Sequence, residues 1–434
     1  MDVLHNKQVL CVEAINVPLA ARGVDYSLTL PHVSYLRVGS LYPLQLLFQC
    51  LQKFHPSSTV RQIRLHIKSY STNSTDPNKK GTMRAWQIHQ YGGNEELTLS
   101  DSVTIPKIKD PRGILINIHA ASINPIDCHM RAGYGSTAMN AIRQKTIFPT
   151  NGGEFPLILG RDFSGEVVET GRDVRKFQRG DEVWGTVFAS KQGCLADYTI
   201  AQEHEISLKP SIITHTSASS IPYVACTVSA AFTEFGGLRE NSLKDKRVLI
   251  YGGSGGIGTF AIQLMKAFGA EVATICSTDA VELVTSLGAD VVIDYTKQDV
   301  RQELANMEKF DIILDSFGKE KTGYSMEFLK SSKCNDSKYI TLKHPFLKNI
   351  DDYGIPVGLL RSLSDAAIDI SLGLRKGISH RWAIYLPKGK ALERYAKLVD
   401  DDQIIPVIDK VFQFEDVPSA FEKVEQGHAR GQSQ

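Results

Sequence analysis

Seven consecutive residues, Gly252-Gly253-Ser254-Gly255-Gly256-Ile257-Gly258, carry the sharpest chemical signal in the sequence. Gly253, Gly255 and Gly258 fill the pattern G-x-G-x-x-G. The run follows a short apolar stretch, Arg247–Tyr251, and precedes Thr259–Phe268, where Ala261, Leu264, Met265 and Phe268 recur at helical spacing. That order predicts a strand, a tight turn and a helix whose free N–H groups and positive dipole end face a phosphate. Gly253 permits the turn, Gly255 removes a side chain so that a pyrophosphate can approach the backbone, and Gly258 lets the helix pack closely on the strand. Ser254, Gly256 and Ile257 complete the loop. The chemistry is dinucleotide binding.

The elements after this loop continue the pattern. Glu271–Cys276, Asp290–Tyr295, Phe310–Asp315 and Lys338–Leu342 are strand-like runs separated by helical stretches, which argues for a doubly wound parallel sheet. Ligands sit at the carboxyl ends of such strands, so Ser277, Tyr295, Asp315 and Leu342 join the glycine loop as cofactor-binding candidates. An NAD site usually places an acid at the end of the second strand for the ribose 2′-hydroxyl. Here the strand ends in Cys276-Ser277-Thr278, and the first acid is Asp279. Small hydroxyl residues leave room for a 2′-phosphate, with Lys266 and Tyr295 placed to hold it. The reading therefore favours NADPH over NADH, and Asp279 folding back would reverse it.

Composition sets outer limits. Of 434 residues 42% are hydrophobic and 22% charged, the balance of a folded protein long enough for two or three domains. Lys plus Arg number 49 and Asp plus Glu 48, a net charge of +1 that argues against nucleic acid as a main partner. The longest apolar candidate, Leu41–Leu51, is short and interrupted by Pro43, Gln45 and Gln49, so no membrane-spanning helix is expected. Seven scattered cysteines without a CxxC pair suggest free thiols rather than a disulfide framework or a thiolate zinc site. From Tyr26 to Thr75 there is no acid, whereas Arg37, Lys53, Arg61, Arg64 and Lys68 are present amid Ser and Thr. That composition predicts a mitochondrial transit segment and linker over 1–80, with the mature protein in the matrix or associated with a membrane.

From Met83 to about Pro210, short β-prone runs such as Gly113–Ala120, Ser164–Glu169 and Glu182–Val187 alternate with turn residues, predicting a partly barrel-like β domain. The expected division is 81–215 for this domain, 216–372 for the dinucleotide-binding domain and 373–434 for a return to the first.

Several motifs in order carry a resemblance: Ala120-Ala121-Ser122-Ile123-Asn124-Pro125-Ile126-Asp127, Phe155-Pro156-Leu157-Ile158-Leu159-Gly160-Arg161-Asp162, Gly180-Asp181-Glu182-Val183, the glycine loop, and Asp315-Ser316-Phe317-Gly318. With them the chain resembles the zinc-independent quinone-oxidoreductase branch of the medium-chain dehydrogenase/reductase superfamily. The resemblance implies an α/β protein with a GroES-like β-rich catalytic domain and a Rossmann domain. At the positions where zinc-dependent cousins coordinate the catalytic metal it places Asn124, Arg161-Asp162 and Tyr223. A cationic Arg cannot bind zinc, so no zinc is expected. Catalysis then falls to the nicotinamide cofactor and to donors for a developing oxyanion. Asn124, Tyr134 and Tyr223 are the catalytic candidates, Tyr134 standing close to where related mitochondrial enoyl-thioester reductases carry a proton-donating Tyr. Asp127 and Arg161 are expected to form a structural ion pair.

The activity so implied is NADPH-dependent hydride transfer to a quinone or conjugated carbonyl in mitochondria, linked to ubiquinone biosynthesis. The alternatives are an enoyl-thioester reductase using Tyr134, and a non-catalytic NADPH-binding interaction protein. Implied partners are reticulon-type or ubiquinone-biosynthesis proteins and a second copy of the chain. The family usually ends in a further strand; here the chain stops at Gln434, so that strand is expected to be missing and its neighbour unpaired.

Overall fold

The computed structural model describes residues 81–150, 152–318, 323–332, 336–427 and the short strand Gln432–Ser433. The predicted transit segment, 1–80, lies outside the described residues.

The first domain is built on two antiparallel sheets. Strands β1 (Thr82–Ile88), β2 (Thr98–Thr104), β3 (Gly113–Ser122), β4 (Leu157–Ile158), β5 (Asp162–Thr170), β6 (Glu182–Thr186), β7 (Tyr198–Gln202) and β8 (Ile206–Leu208) form a three-stranded sheet, β2-β1-β4, and a five-stranded one, β7-β3-β5-β6-β8. The alternation in Gly113–Ser122 sends Ile114, Ile116 and Ile118 into one core with Phe163, Val167 and Val183. In the register of β3 with β5, Ser122 stands opposite Asp162, which brings the two ends that carry chemistry side by side.

The second domain is a six-stranded sheet, β11-β10-β9-β12-β13-β14, from β9 (Arg247–Tyr251), β10 (Glu271–Cys276), β11 (Val291–Asp294), β12 (Ile312–Asp315), β13 (Lys338–Thr341) and β14 (Ser379–Trp382). Every pair is parallel. Such a sheet must be covered on both faces, and the apolar runs are divided accordingly. Val248, Ile250, Val272, Ile312, Leu314 and Ile340 pack with helices Pro222–Ser229 and Gly256–Ala267, while Leu249, Tyr251, Ala273, Ile275, Ile313 and Tyr339 fill the core on the other side. The strand order reverses between β9 and β12, the crevice where doubly wound folds bind their ligand.

Two expectations are corrected. The break foreseen after residue 372 falls inside a helix, Phe346–Arg375, and β14 still belongs to the parallel sheet, so the return to the first domain begins past Trp382. It proceeds through helix Gly389–Asp400, whose Leu392, Tyr395 and Val399 join the second domain's core, to helix Val417–Glu425, whose Phe421 packs in the first. The Trp86 indole N–H donates to the Phe414 carbonyl at 2.7 Å, stitching this tail to β1. The expectation of an unpaired neighbour is corrected as well: the two-residue strand β16 (Gln432–Ser433) pairs in parallel with β15 (Ile408–Lys410).

The helix Phe346–Arg375 is broken at Gly354, which takes φ 73°, and Pro356 opens the second segment. Beyond the break its inward side is small or polar, with Gly358, Ser362 and Gly373 buried, while Val357, Leu360, Leu363, Ile368 and Leu374 face outward.

Candidate active site

Asn124 lies two residues past the end of β3 and caps the start of helix Pro125–Arg131. The pattern Asn-Pro-x-Asp suits that corner, because proline is preset for the first helical position and Asp127 three residues on reaches back to the Asn124 N–H at 2.9 Å. The Asn124 side chain is thereby turned inward and buried. Its Nδ2 donates to Asp162 Oδ2 at 2.8 Å, and the Ser122 hydroxyl donates to the same oxygen at 2.6 Å. The other oxygen, Oδ1, accepts the backbone N–H of Tyr223, near the start of helix Pro222–Ser229. One buried carboxylate therefore gathers Asn124 and Tyr223, two of the three catalytic candidates.

Burial pushes Asp162 up to about 8, opposed by the hydrogen bonds from Ser122 and Asn124 and aided by the charge of Asp127. Near neutrality this carboxyl is held mostly in its protonated form, and Ser122, whose hydroxyl can turn from donor to acceptor, is placed to take its hydrogen bond. Asp127 is pushed by burial up to about 6, opposed by Arg161. The expected Asp127–Arg161 pair is present but loose, Nε to Oδ1 at 3.8 Å. The buried guanidinium instead donates to the carbonyls of Ile158, Phe188 and Lys191, and Asp127 Oδ1 accepts the Gly160 N–H at 3.0 Å.

The Tyr223 ring stacks on Tyr385, centroids 4.4 Å apart, and the Tyr385 hydroxyl meets Thr186. Burial raises the Tyr223 phenol, with Asp127, Asp162 and Tyr134 adding to the effect, so it stays protonated and can donate. Tyr134 is half-buried and raised by burial and then by Asp351. His129, whose ring lies 5.9 Å from that of Tyr134, is exposed. The sequence reading missed the roles of Ser122, Asp162 and Tyr385. Asp162 was visible only as half of Arg161-Asp162 at the position of a metal-ligating pair in zinc-dependent relatives, and its role as common acceptor requires the β3–β5 register.

The donor set is unsuited to zinc: an amide, a phenol, a cationic guanidinium turned away, and one carboxylate whose oxygens already accept three hydrogen bonds. Cys128, Cys194, Cys226 and Cys276 are buried and unbridged.

In the glycine loop the left-handed turn falls at Gly252, φ 76°, rather than at Gly253. A Cβ on Gly253 would stand 2.1 Å from Thr274 Oγ1, and one on Gly258 would stand 2.1 Å from the Gly252 carbonyl oxygen, so both glycines are demanded by close packing. A Cβ on Gly255 would meet nothing nearer than 3.8 Å. Gly255 faces open space at the N-terminus of helix Gly256–Ala267, which no side chain caps. This is a cradle that fits a pyrophosphate. Ser254 and Ile257 flank it, Ser254 buried and Ile257 packed on the core.

At the strand ends the candidates separate. Ser277 and Tyr295 lie together, the Tyr295 N–H donating to the Cys276 carbonyl at 3.1 Å with its ring exposed. Leu342 follows β13, its N–H on the Asp315 carbonyl at 2.9 Å. Asp315 is corrected: its side chain is fully buried and accepts the N–H groups of Phe317 and Gly318 and the Tyr339 hydroxyl, so it shapes the loop rather than facing a ligand. Lys266 is corrected too, being held by both oxygens of Asp290 at 2.8 Å. Asp279 accepts the Ser277 hydroxyl at 2.6 Å, which sets an acid beside the end of the second strand.

A GroES-like domain joined to a doubly wound domain with a phosphate-cradling loop defines the medium-chain dehydrogenase/reductase class. The chain matches the family model of the alcohol dehydrogenase GroES-like domain over 110–211 and that of zinc-binding dehydrogenase over 287–432. It is 44% identical over 86% of its length to 95% of the zebrafish (Danio rerio) protein named NAD(P)H oxidoreductase RTN4IP1, mitochondrial, and 46% identical over 83% to 90% of the human one. Among solved structures, the quinone oxidoreductase from Coxiella burnetii superimposes with TM-score 0.65 at 28% identity, over 81% of this chain and 98% of that one. The chain belongs to the RTN4IP1 family of mitochondrial oxidoreductases, in the quinone-oxidoreductase-like branch of that class.

Proposed function

We propose that the chain is a zinc-independent, NADPH-dependent oxidoreductase that reduces a quinone or conjugated carbonyl. The observation that carries this reading is the Asp162 carboxylate drawing Asn124 and the Tyr223 helix into one metal-unsuited cluster. The glycine loop, Ser277, Tyr295 and Leu342 line the crevice that would hold the dinucleotide. NADPH supplies a hydride, two electrons with one hydrogen nucleus, to an electron-poor carbon. Around the carbonyl oxygen, to which conjugation delivers the added electron pair, the chain's own groups do the rest. Asn124, oriented by Asp162, and the protonated Tyr223 phenol donate hydrogen bonds to developing negative charge. The Tyr134 hydroxyl holds a proton that balances the added hydride, and solvent restores it.

NADPH remains the proposed reductant because Ser277 and Thr278 are small and Tyr295 is open beside them; Asp279 is the group that opposes it. Membership of the family supports placing the activity in ubiquinone biosynthesis after removal of a transit segment within 1–80. A Caenorhabditis elegans relative, 32% identical over 82% of the chain, is named reticulon-4-interacting protein 1, which motivates a reticulon-type partner here. We further read the chain as a homodimer, with the outward apolar face of Phe346–Arg375 and the adjoining edge strand β14 meeting a second copy.

The test is fluorescence titration with NADPH and NADH, followed by a panel of quinones and enones. Tighter NADPH binding and turnover on either acceptor class support the proposal; binding without turnover assigns the chain a non-catalytic role. A second reading, an enoyl-thioester reductase, is favoured by the protonated, half-buried Tyr134. Acyl-thioester reduction that is lost in Tyr134→Phe with NADPH affinity intact would establish it.

A further inference from the structure

Tyr134 is followed at once by a helix that lacks its own cap. Ser136–Gln144 begins at Gly135, which takes φ 77° and offers no side chain to the first amides. An uncapped helix start leaves N–H groups without partners. The cap comes from 216 residues away: Asp351 Oδ2 accepts the Gly135 N–H at 2.6 Å and Oδ1 accepts the Thr137 N–H at 3.1 Å. A carboxylate there also matches the helix dipole. Leu347, one turn before Asp351, closes on the same spot, its Cδ1 lying 3.3 Å from where a Cβ on Gly135 would stand.

The origin of Asp351 gives the contact its meaning. It lies in the first segment of Phe346–Arg375, which leaves the sheet directly after β13 and Leu342, at the carboxyl edge that forms the cofactor crevice. The Tyr134 turn belongs to the other domain. One side chain therefore ties the turn carrying the candidate proton donor to the domain carrying the cofactor loop. Two hydrogen bonds accepted by one carboxylate fix the direction of the turn as well as its distance, and Gly135 is the residue type that permits the left-handed backbone this requires.

We propose that Asp351 is a positioning residue that holds the Tyr134–Gly135 turn against the cofactor-binding domain and so sets where the Tyr134 hydroxyl stands. The inference rests on Tyr134 being the proton donor. Without Asp351 the turn is free to shift. A displacement of about 1 Å in a reacting group lowers turnover by up to about a hundredfold, whereas nucleotide affinity, set at the glycine loop, is untouched.

The experiment compares Asp351→Ala and Asp351→Asn in the full chain, alone and with Tyr134→Phe, using NADPH and the best acceptor from the panel. Asp351→Ala should lower kcat by about ten- to a hundredfold with NADPH Kd within about twofold, and Asp351→Asn, which keeps one acceptor oxygen, should recover part of the loss. In the Tyr134→Phe background Asp351→Ala should cost no more than about twofold further, since both changes then remove the same contribution. Amide hydrogen exchange at Gly135 and Thr137 should quicken in Asp351→Ala and only partly in Asp351→Asn. Equal kcat losses with and without Tyr134 would overturn the proposal, as would unchanged exchange at the two amides. If Tyr134→Phe alone leaves turnover intact, the proton-donor reading fails and this positioning role with it, while the exchange result still reports whether Asp351 holds the turn.

Discussion

Replacing Asp162 with Asn separates what this carboxyl does for stability from what it does for catalysis. Asp162 is fully buried and its folded value is pushed to about 8 by burial, against an unfolded value near 3.8. An acid raised on folding stabilises the fold while it keeps its proton. That contribution is whole below about pH 4 and is lost progressively as pH rises to about 8. At about 1.36 kcal/mol per pH unit the loss across this window is roughly 6 kcal/mol. Asn has the same shape and no charge, so the variant lacks this slope. Its amide nitrogen, however, faces at least one of the donors on Ser122, Asn124 and the Tyr223 N–H, at a cost of about 1–3 kcal/mol at every pH. The two effects have opposite signs. Below about pH 5 Asp162→Asn should be the less stable protein, and above about pH 7 it should be the more stable one by about 2–4 kcal/mol. Turnover should fall at all pH values, by about a hundredfold, because the Asn124 amide loses its orienting acceptor. Urea unfolding of both proteins from pH 5 to 9, with kcat measured alongside, gives both quantities. Parallel stability curves would refute the buried, proton-exchanging carboxyl, and undiminished turnover would refute its role in placing Asn124.

Three further outcomes follow from the geometry. Gly255→Ala should fold normally, because its Cβ enters open space, but bind NADPH at least about tenfold more weakly; Gly258→Ala, whose Cβ would stand 2.1 Å from the Gly252 oxygen, should lower thermal stability as well. Asp279→Ala, which removes the acid on Ser277, should raise the NADPH-over-NADH affinity ratio by about tenfold in a fluorescence titration, and an unchanged ratio would remove Asp279 from the ribose site. The double substitution Leu360→Glu and Leu363→Glu, on the outward face of the long helix, should convert a dimer to a monomer in sedimentation velocity; a wild-type protein that sediments as a monomer would refute the dimer.

Legibility followed the range of the interactions. The glycine loop could be read because each glycine answers to a neighbour within a few residues or to the next strand, and the parallel sheet because its strands are continuous apolar runs. Asn124 was placed by a motif at the end of a strand. What escaped were arrangements made across long separations. Asp162 becomes a hub only when β3 and β5 pair and the Tyr223 helix docks on them. Asp315 sits at a strand end, where ligand-facing acids are expected, but Tyr339 and two loop amides from beyond the motif claim it. Lys266 was read as a free cation, yet Asp290, 24 residues on, holds it. The domain break was misplaced because the apolar residues of 343–379 follow no single period; the helix there turns small residues inward and large ones out.

The most direct test of the account is NADPH oxidation by the purified mature protein in the presence of quinones and enones, before and after exhaustive dialysis against a metal chelator. The account predicts acceptor-dependent oxidation at the same rate in both samples. Activity that vanishes on dialysis and returns with zinc, or a protein that binds no nicotinamide nucleotide, would contradict it.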